Sequence, residues 1–129
     1  MSYVLDTHAL IWFLTSDNKL GKKALELLRR ADTGKETIII PTVVLAEVLY
    51  ICEKNKVAIK FKEIFEKINE KDNYIVYDLN LEVILKLEEL SKIHELHDRI
   101  ILATAVLSDS KIITRDGPIK ESNYAEVVW

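Results

Sequence analysis

The sequence contains no glutamine, one cysteine, two prolines and three glycines in 129 residues. Cys52 sits in an apolar run with no second cysteine, which excludes an internal disulfide. The opening MSYVLDTHAL has neither a basic stretch nor a small-residue cleavage site, so a cytoplasmic protein is expected. With glycine only at 21, 34 and 117, neither G-x-G-x-x-G nor the phosphate-binding G-x-x-x-x-G-K-[ST] can be drawn. No apolar run approaches the roughly 20 residues of a membrane-spanning helix. Charge of one sign is also lacking: 18 basic and 21 acidic residues leave a net charge of −3, which gives no overall basic footprint for nucleic acid. The three histidines, His8, His94 and His97, have no zinc-like spacing. What remains is 49% hydrophobic and short enough for one folded domain over residues 1–129.

Short β-branched runs alternate with longer stretches of helical period, without repeats or low-complexity linkers. Residues 3–5 predict a buried strand that feeds into a helix over 9–14. Leu20, Ala24, Leu27, Leu28 and Ala31 recur at helical spacing, with Gly34 placed to end that helix. Residues 37–40 are β-branched throughout and predict a central strand stopped by Pro41, with Thr42 capping a helix that reaches Lys54. Further helices are expected over 58–70, over 81–93, and from Asp98 to just before Ser110. The remaining strands are expected over 74–77, 111–114 and 125–129, the last after a turn at Gly117-Pro118. Strands separated by helix-length segments require crossovers, so the expected fold is α/β, with a mostly parallel sheet of four to five strands and helices on both faces. In such sheets ligands bind outside the carboxyl ends of the strands.

Four carboxylates fall where chain order places that edge: Asp6 and Asp116 at strand ends, Glu47 and Asp98 in the first turns of helices. Each of the aspartates has an ordinary role available. Asp6 can cap a helix, Asp98 can sit in a first turn favoured by the helix dipole, and Asp116 can form a turn in Arg115-Asp116-Gly117. Glu47 is harder to place, because its helical neighbours Val43, Val44, Tyr50 and Ile51 make an apolar setting in which a charge needs a partner. Crowded carboxylates repel one another unless a cation neutralises them, so a shared site implies a bound metal. With only oxygen ligands, the expected ion is Mg²⁺ or Mn²⁺, which suits phosphodiester chemistry.

Four segments, Leu5-Asp6-Thr7-His8-Ala9-Leu10, Thr42 with Glu47, His97-Asp98-Arg99-Ile100-Ile101-Leu102-Ala103-Thr104-Ala105 and Ile113-Thr114-Arg115-Asp116, together resemble the PIN-domain family. Within it the chain is similar, along its whole length, to the short toxins of the VapC type. The resemblance implies a three-layer α/β/α sandwich and a metal-dependent endoribonuclease whose acidic positions fall on Asp6, Glu47, Asp98 and Asp116. It also implies a homodimer and an antitoxin of the VapB type whose tail blocks the site. On this reading Asp6, Asp98 and Asp116 hold Mg²⁺ or Mn²⁺ directly or through water, and Glu47 ligates or orients the attacking water. Thr7 and Thr114 are placed to hydrogen-bond the acids, as well as to serve as plain helix and strand residues. Arg99 and Arg115 are candidates for substrate phosphates or for partners of nearby carboxylates, and Lys54, Lys56 and Lys120 for a local basic patch.

Two other functions are open at this point. Tyr77-Asp78 ends a strand as in a receiver-like phosphoacceptor module, but Thr7 and His8 stand where such a site needs an acidic pair, and Asp78 then reads as the cap of the next helix. A catalytically silent domain that keeps the fold and binds only a protein partner is the other. Trp12, Phe13, Phe61 and Phe65 suit core or dimer packing, and Cys52 a small buried hydrophobe.

Overall fold

The computed structural model describes residues 1–129, arranged as five strands and seven α-helices, with two α-helices between successive strands up to β4 and one between the last two. The strands β1 (Ser2–Leu5), β2 (Thr37–Pro41), β3 (Tyr74–Tyr77), β4 (Lys111–Ile113) and β5 (Val127–Val128) form one sheet in the order β3-β2-β1-β4-β5. Every pairing is parallel, with Val4 opposite Ile39 on one side and Ile112 on the other. Successive residues of a strand face opposite sides of a sheet, yet Val4, Leu5, Ile38, Ile39 and Ile40 are all buried. A layer of apolar side chains therefore covers each face of β1 and β2, which gives the three-layer α/β/α arrangement.

The helices form for local reasons. In α1 (Thr7–Leu14) the Asp6 side chain caps the first turn, and the helix starts two residues earlier than the apolar pattern predicts. Helix α2 (Lys22–Asp32) buries Ala24, Leu27, Leu28 and Ala31 and keeps its lysines and arginines in solvent. It ends where Gly34 takes φ +82°, a left-handed conformation that glycine adopts without steric penalty. Gly21, which precedes α2, lies against the other end of the chain: a Cβ there would come within 2.5 Å of the Trp129 carbonyl carbon.

Pro41 is the last residue of β2 and also the residue before α3 (Thr42–Glu53); Thr42 is inside the helix, and its hydroxyl accepts the Leu79 N–H at 3.0 Å. Helix α4 (Phe61–Asn69) turns Ile64 and Ile68 inward, and Phe61 stacks on Phe65. Helix α5 (Leu81–Leu87) is shorter than its periodicity predicts and closes in a 3₁₀ turn over Glu88–Leu90. Its cap is Asn80, whose side chain accepts from the Val83 N–H, and not Asp78. Helix α6 (Leu96–Leu107) is buried continuously from Ile100 to Ala105, which makes it a fixed support for the residues of its first turn. Gly117-Pro118 opens a short helix α7 (Gly117–Ser122) in place of the expected turn, because proline is tolerated in a first helical turn and Asp116 caps it. The last strand is confined to two residues.

The chain leaves β1 towards β2 on one side and returns to pair β4 on the other, so the crevice between the carboxyl ends of β1 and β4 is the topological switch point. No helix is long and apolar enough to cross a membrane.

Candidate active site

Asp6 follows the last residue of β1, and Thr114, Arg115 and Asp116 follow β4, so the switch point brings them to one place. One Asp6 oxygen, Oδ1, accepts the Ala9 N–H at 2.8 Å, and the Thr114 hydroxyl lies within hydrogen-bonding reach of the same carboxylate. Asp116 repeats the arrangement in α7: its Oδ2 accepts the Ile119 N–H at 2.9 Å. Its own N–H donates to the Thr114 oxygen at 3.1 Å. Thr114 is fully buried and ties the two aspartates together. Both are therefore helix caps and members of the acidic crevice at once. Burial raises the Asp6 pKa above its usual range; the Thr114 and Ala9 hydrogen bonds and the His8 charge oppose this, and the Asp116 charge adds to it.

Glu47 lies in the second turn of α3, not the first. The partner that its apolar setting requires is Thr7, a buried residue whose hydroxyl donates to Oε1 at 2.7 Å. The other oxygen faces His97 Nδ1 at 3.5 Å. Asp98 is in the first turn of α6, whose cap is Glu95: the Glu95 carboxylate accepts the Asp98 N–H at 2.7 Å. The pKa of Asp98 is pushed up to about 6, first by burial and then by the charges of Asp116, Glu95, Glu47 and Asp6. Asp98 thus feels every other acid of the crevice, and no lysine or arginine ion-pairs with any of the four.

Glu95 is absent from the expectations drawn from sequence, whereas His97, beside Asp98, is expected there as an ordinary helix residue or a substrate contact. The signal for Glu95 is its spacing, three residues before Asp98, which is the distance from a cap to the third helical position. His97 contacts Glu95 at 3.4 Å as well as Glu47, so it bridges α3 and α6. The two arginines that flank acids in sequence have partners: Arg99 donates from Nε to the Ile93 carbonyl, and the Arg115 guanidinium lies over the Trp12 ring, 4.5 Å from its centre. Asp78 is exposed beyond the edge strand β3 and is not among the acids that act on Asp98.

The donor set is carboxylate and hydroxyl oxygen, the chemistry of a hard divalent cation. As the side chains stand, no three His, Cys, Asp or Glu residues are drawn close enough to ligate one ion. The caps at Asp6 and Asp116 engage one oxygen of each.

Fold and crevice define a class: a parallel α/β domain with a carboxylate cluster at its switch point. The sequence matches the PIN domain over residues 3–121, and the chain belongs to that family. Among curated protein sequences none matches it. Its fold is similar to those of VapBC2 from Rickettsia felis bound to a promoter DNA fragment (TM-score 0.71, 20% identity, 99% of this chain and 98% of the other). It is similar also to DNA-bound VapBC from Salmonella typhimurium (TM-score 0.70, 15% identity, 99% and 97%). A third similar fold is VapBC-1 from nontypeable Haemophilus influenzae (TM-score 0.67, 14% identity, 99% and 97%).

Proposed function

We propose that this protein is a metal-dependent endoribonuclease acting in the cytoplasm as the toxin of a toxin–antitoxin pair. The observation that carries the reading is the convergence of Asp6, Glu47, Asp98 and Asp116 at the switch point with no lysine or arginine ion-paired to any of them. Such a centre is complete only with a cation. Asp6, Asp98 and Asp116 are the residues to hold Mg²⁺ or Mn²⁺, with Glu47 as a further ligand or as the base that orients water. The bound ion supplies Lewis acidity that polarises a phosphodiester and lowers the pKa of water. The chain's own residues position: Thr7 fixes the Glu47 carboxylate, Thr114 fixes Asp6 against Asp116, and α6 holds Asp98 rigid.

A VapB-type antitoxin fits the opening beside Glu47, a cavity of about 420 Å³ whose lining is mostly apolar and includes Val43, Ala46, Tyr50 and Ile51. The structurally similar VapBC assemblies support this partner. A homodimer fits the exposed apolar side of α5, where Leu81 is 71% and Leu85 64% exposed and Ile84 is exposed as well. Light scattering at micromolar concentration is expected to give twice the chain mass.

The test is a paired assay of wild type and Asp98→Asn on a pool of structured RNA, with Mg²⁺ or Mn²⁺ and with EDTA. Cleavage that needs both the metal and Asp98 is the expected result. Equal cleavage in EDTA or by the variant overturns it, and no cleavage with either ion favours the silent protein-binding domain.

A further inference from the structure

A second groove opens next to the acidic crevice, with a volume of about 380 Å³. Thr114 and Arg115 line it, so it begins at the residues that join Asp6 to Asp116. Lys23 from α2, Lys120 from α7 and Trp129 line it as well. Three cations thus share one depression beside a site with an excess of negative charge. None of them ion-pairs with a carboxylate. Glu126, the carboxylate side chain in the same lining, is engaged by Lys111 at 3.2 Å.

Lys23 has no evident structural purpose, and Arg115 is held in a fixed orientation. Lys23 stands in the first turn of α2, which has no acidic residue there, and a cation at the positive end of a helix is disfavoured by its dipole. Arg115 is stacked on Trp12, which meets Trp129 edge-on with ring centres 6.0 Å apart. Stacking fixes the guanidinium plane and leaves its N–H edges for a planar, bidentate acceptor such as phosphate. The close approach of Gly21 to Trp129 holds the chain end against the start of α2, so Lys23 and the aromatic wall keep a fixed relation.

We propose that this groove binds the backbone phosphates of a single RNA strand adjoining the scissile phosphate, through Lys23, Arg115 and Lys120. This rests on the nuclease reading. It explains how a chain of net charge −3 holds a polyanion, by setting three cations that form no ion pair beside the acids. An acidic protein segment is the competing occupant. RNA is favoured because the groove is continuous with a centre suited to phosphodiester chemistry.

The experiment measures binding of an end-labelled, single-stranded, mixed-sequence RNA by fluorescence anisotropy in EDTA over a range of salt. The expected result for Lys23→Gln with Lys120→Gln is weaker binding and a salt dependence shallower by about 0.7 in log–log slope for each lysine–phosphate pair removed. Lys23→Arg with Lys120→Arg restores the slope, and Lys67→Gln, on the exposed side of α4, leaves it at the wild-type value. An unchanged slope in the double Gln variant, with wild-type protein still binding and cutting RNA, overturns the groove and leaves the nuclease reading intact. Poly-glutamate that displaces RNA from wild type as well as unlabelled RNA does also overturns the groove, in favour of a protein segment. A lysine-dependent slope without cleavage under Mg²⁺ or Mn²⁺ supports the groove and overturns the nuclease.

Discussion

At the amino end of the sheet the carboxylate of Glu36, only 6% exposed, meets a cation on each side: the Arg30 guanidinium on one oxygen and the Met1 amine, at 3.3 Å, near the other. At the carboxyl end Asp6, Glu47, Asp98 and Asp116 converge with hydroxyls, backbone N–H groups and the histidines His8 and His97 for company, and no lysine or arginine ion-pairs with them. Glu36 is buried and the four acids at the other end are partly buried, and only Glu36 is neutralised by basic groups of the chain itself. A charge that a fold compensates internally is part of its architecture. Charges left uncompensated at the place where an α/β sheet binds its ligands lower stability and are kept for what they bind.

The strongest way to break this contrast is to exchange the two ends' roles by mutation. Asp6→Asn is expected to reduce RNA cleavage by more than about a hundredfold while the thermal melt stays cooperative. Glu36→Gln is expected to leave cleavage near wild type and to cost about 2 kcal/mol in urea unfolding, because Arg30 loses its partner and a buried amide replaces a paired carboxylate. Cleavage abolished in the Glu36 variant and kept in the Asp6 variant would invert the assignment.

Thr7→Val tests the positioning of Glu47. It removes the 2.7 Å hydrogen bond and nothing else of similar shape, so a loss of about tenfold in kcat with little change in KM is expected from single-turnover and steady-state assays.

The smallest effect concerns stability without metal. The folded-state pKa of Asp98 is raised from 3.8 to about 6, so between these values the folded protein binds more protons than the unfolded chain. Stability in EDTA therefore falls as pH rises from about 4 to about 6, by of order 1 kcal/mol once solvent screening at this half-buried position is allowed for. Asp98→Asn, which cannot ionise, is expected to make that slope shallower, leaving the part due to Asp6, and to unfold at higher urea than wild type at pH 7.

The parallel sheet is legible because Ile38 to Ile40 and Ile112-Ile113 are consecutive β-branched apolar residues, a pattern that burial from two sides explains. The acids were legible because chain order fixes which end of a parallel strand they follow. What escaped was set by short-range chemistry with two meanings. Gly117-Pro118 reads equally as a turn and as the opening of α7, and the Asp116 cap decides between them. Glutamate is an uncommon cap, so α6 was read from Asp98 and not from Leu96, and Glu95 was passed over. Glu36 carries no mark at all in the sequence, since its burial depends on Arg30 folding back from α2.

Asp6 and Asp116 each hold a helix by one oxygen and offer the crevice the other. Any ligand that pulls on the free oxygen also loads the hydrogen bond on its twin, so the first turns of α1 and α7 act as gauges wired to the centre. The amide protons of Ala9 and Ile119 are the needles of those gauges. Their exchange rates read the occupancy of the crevice from inside the backbone, with no substrate present.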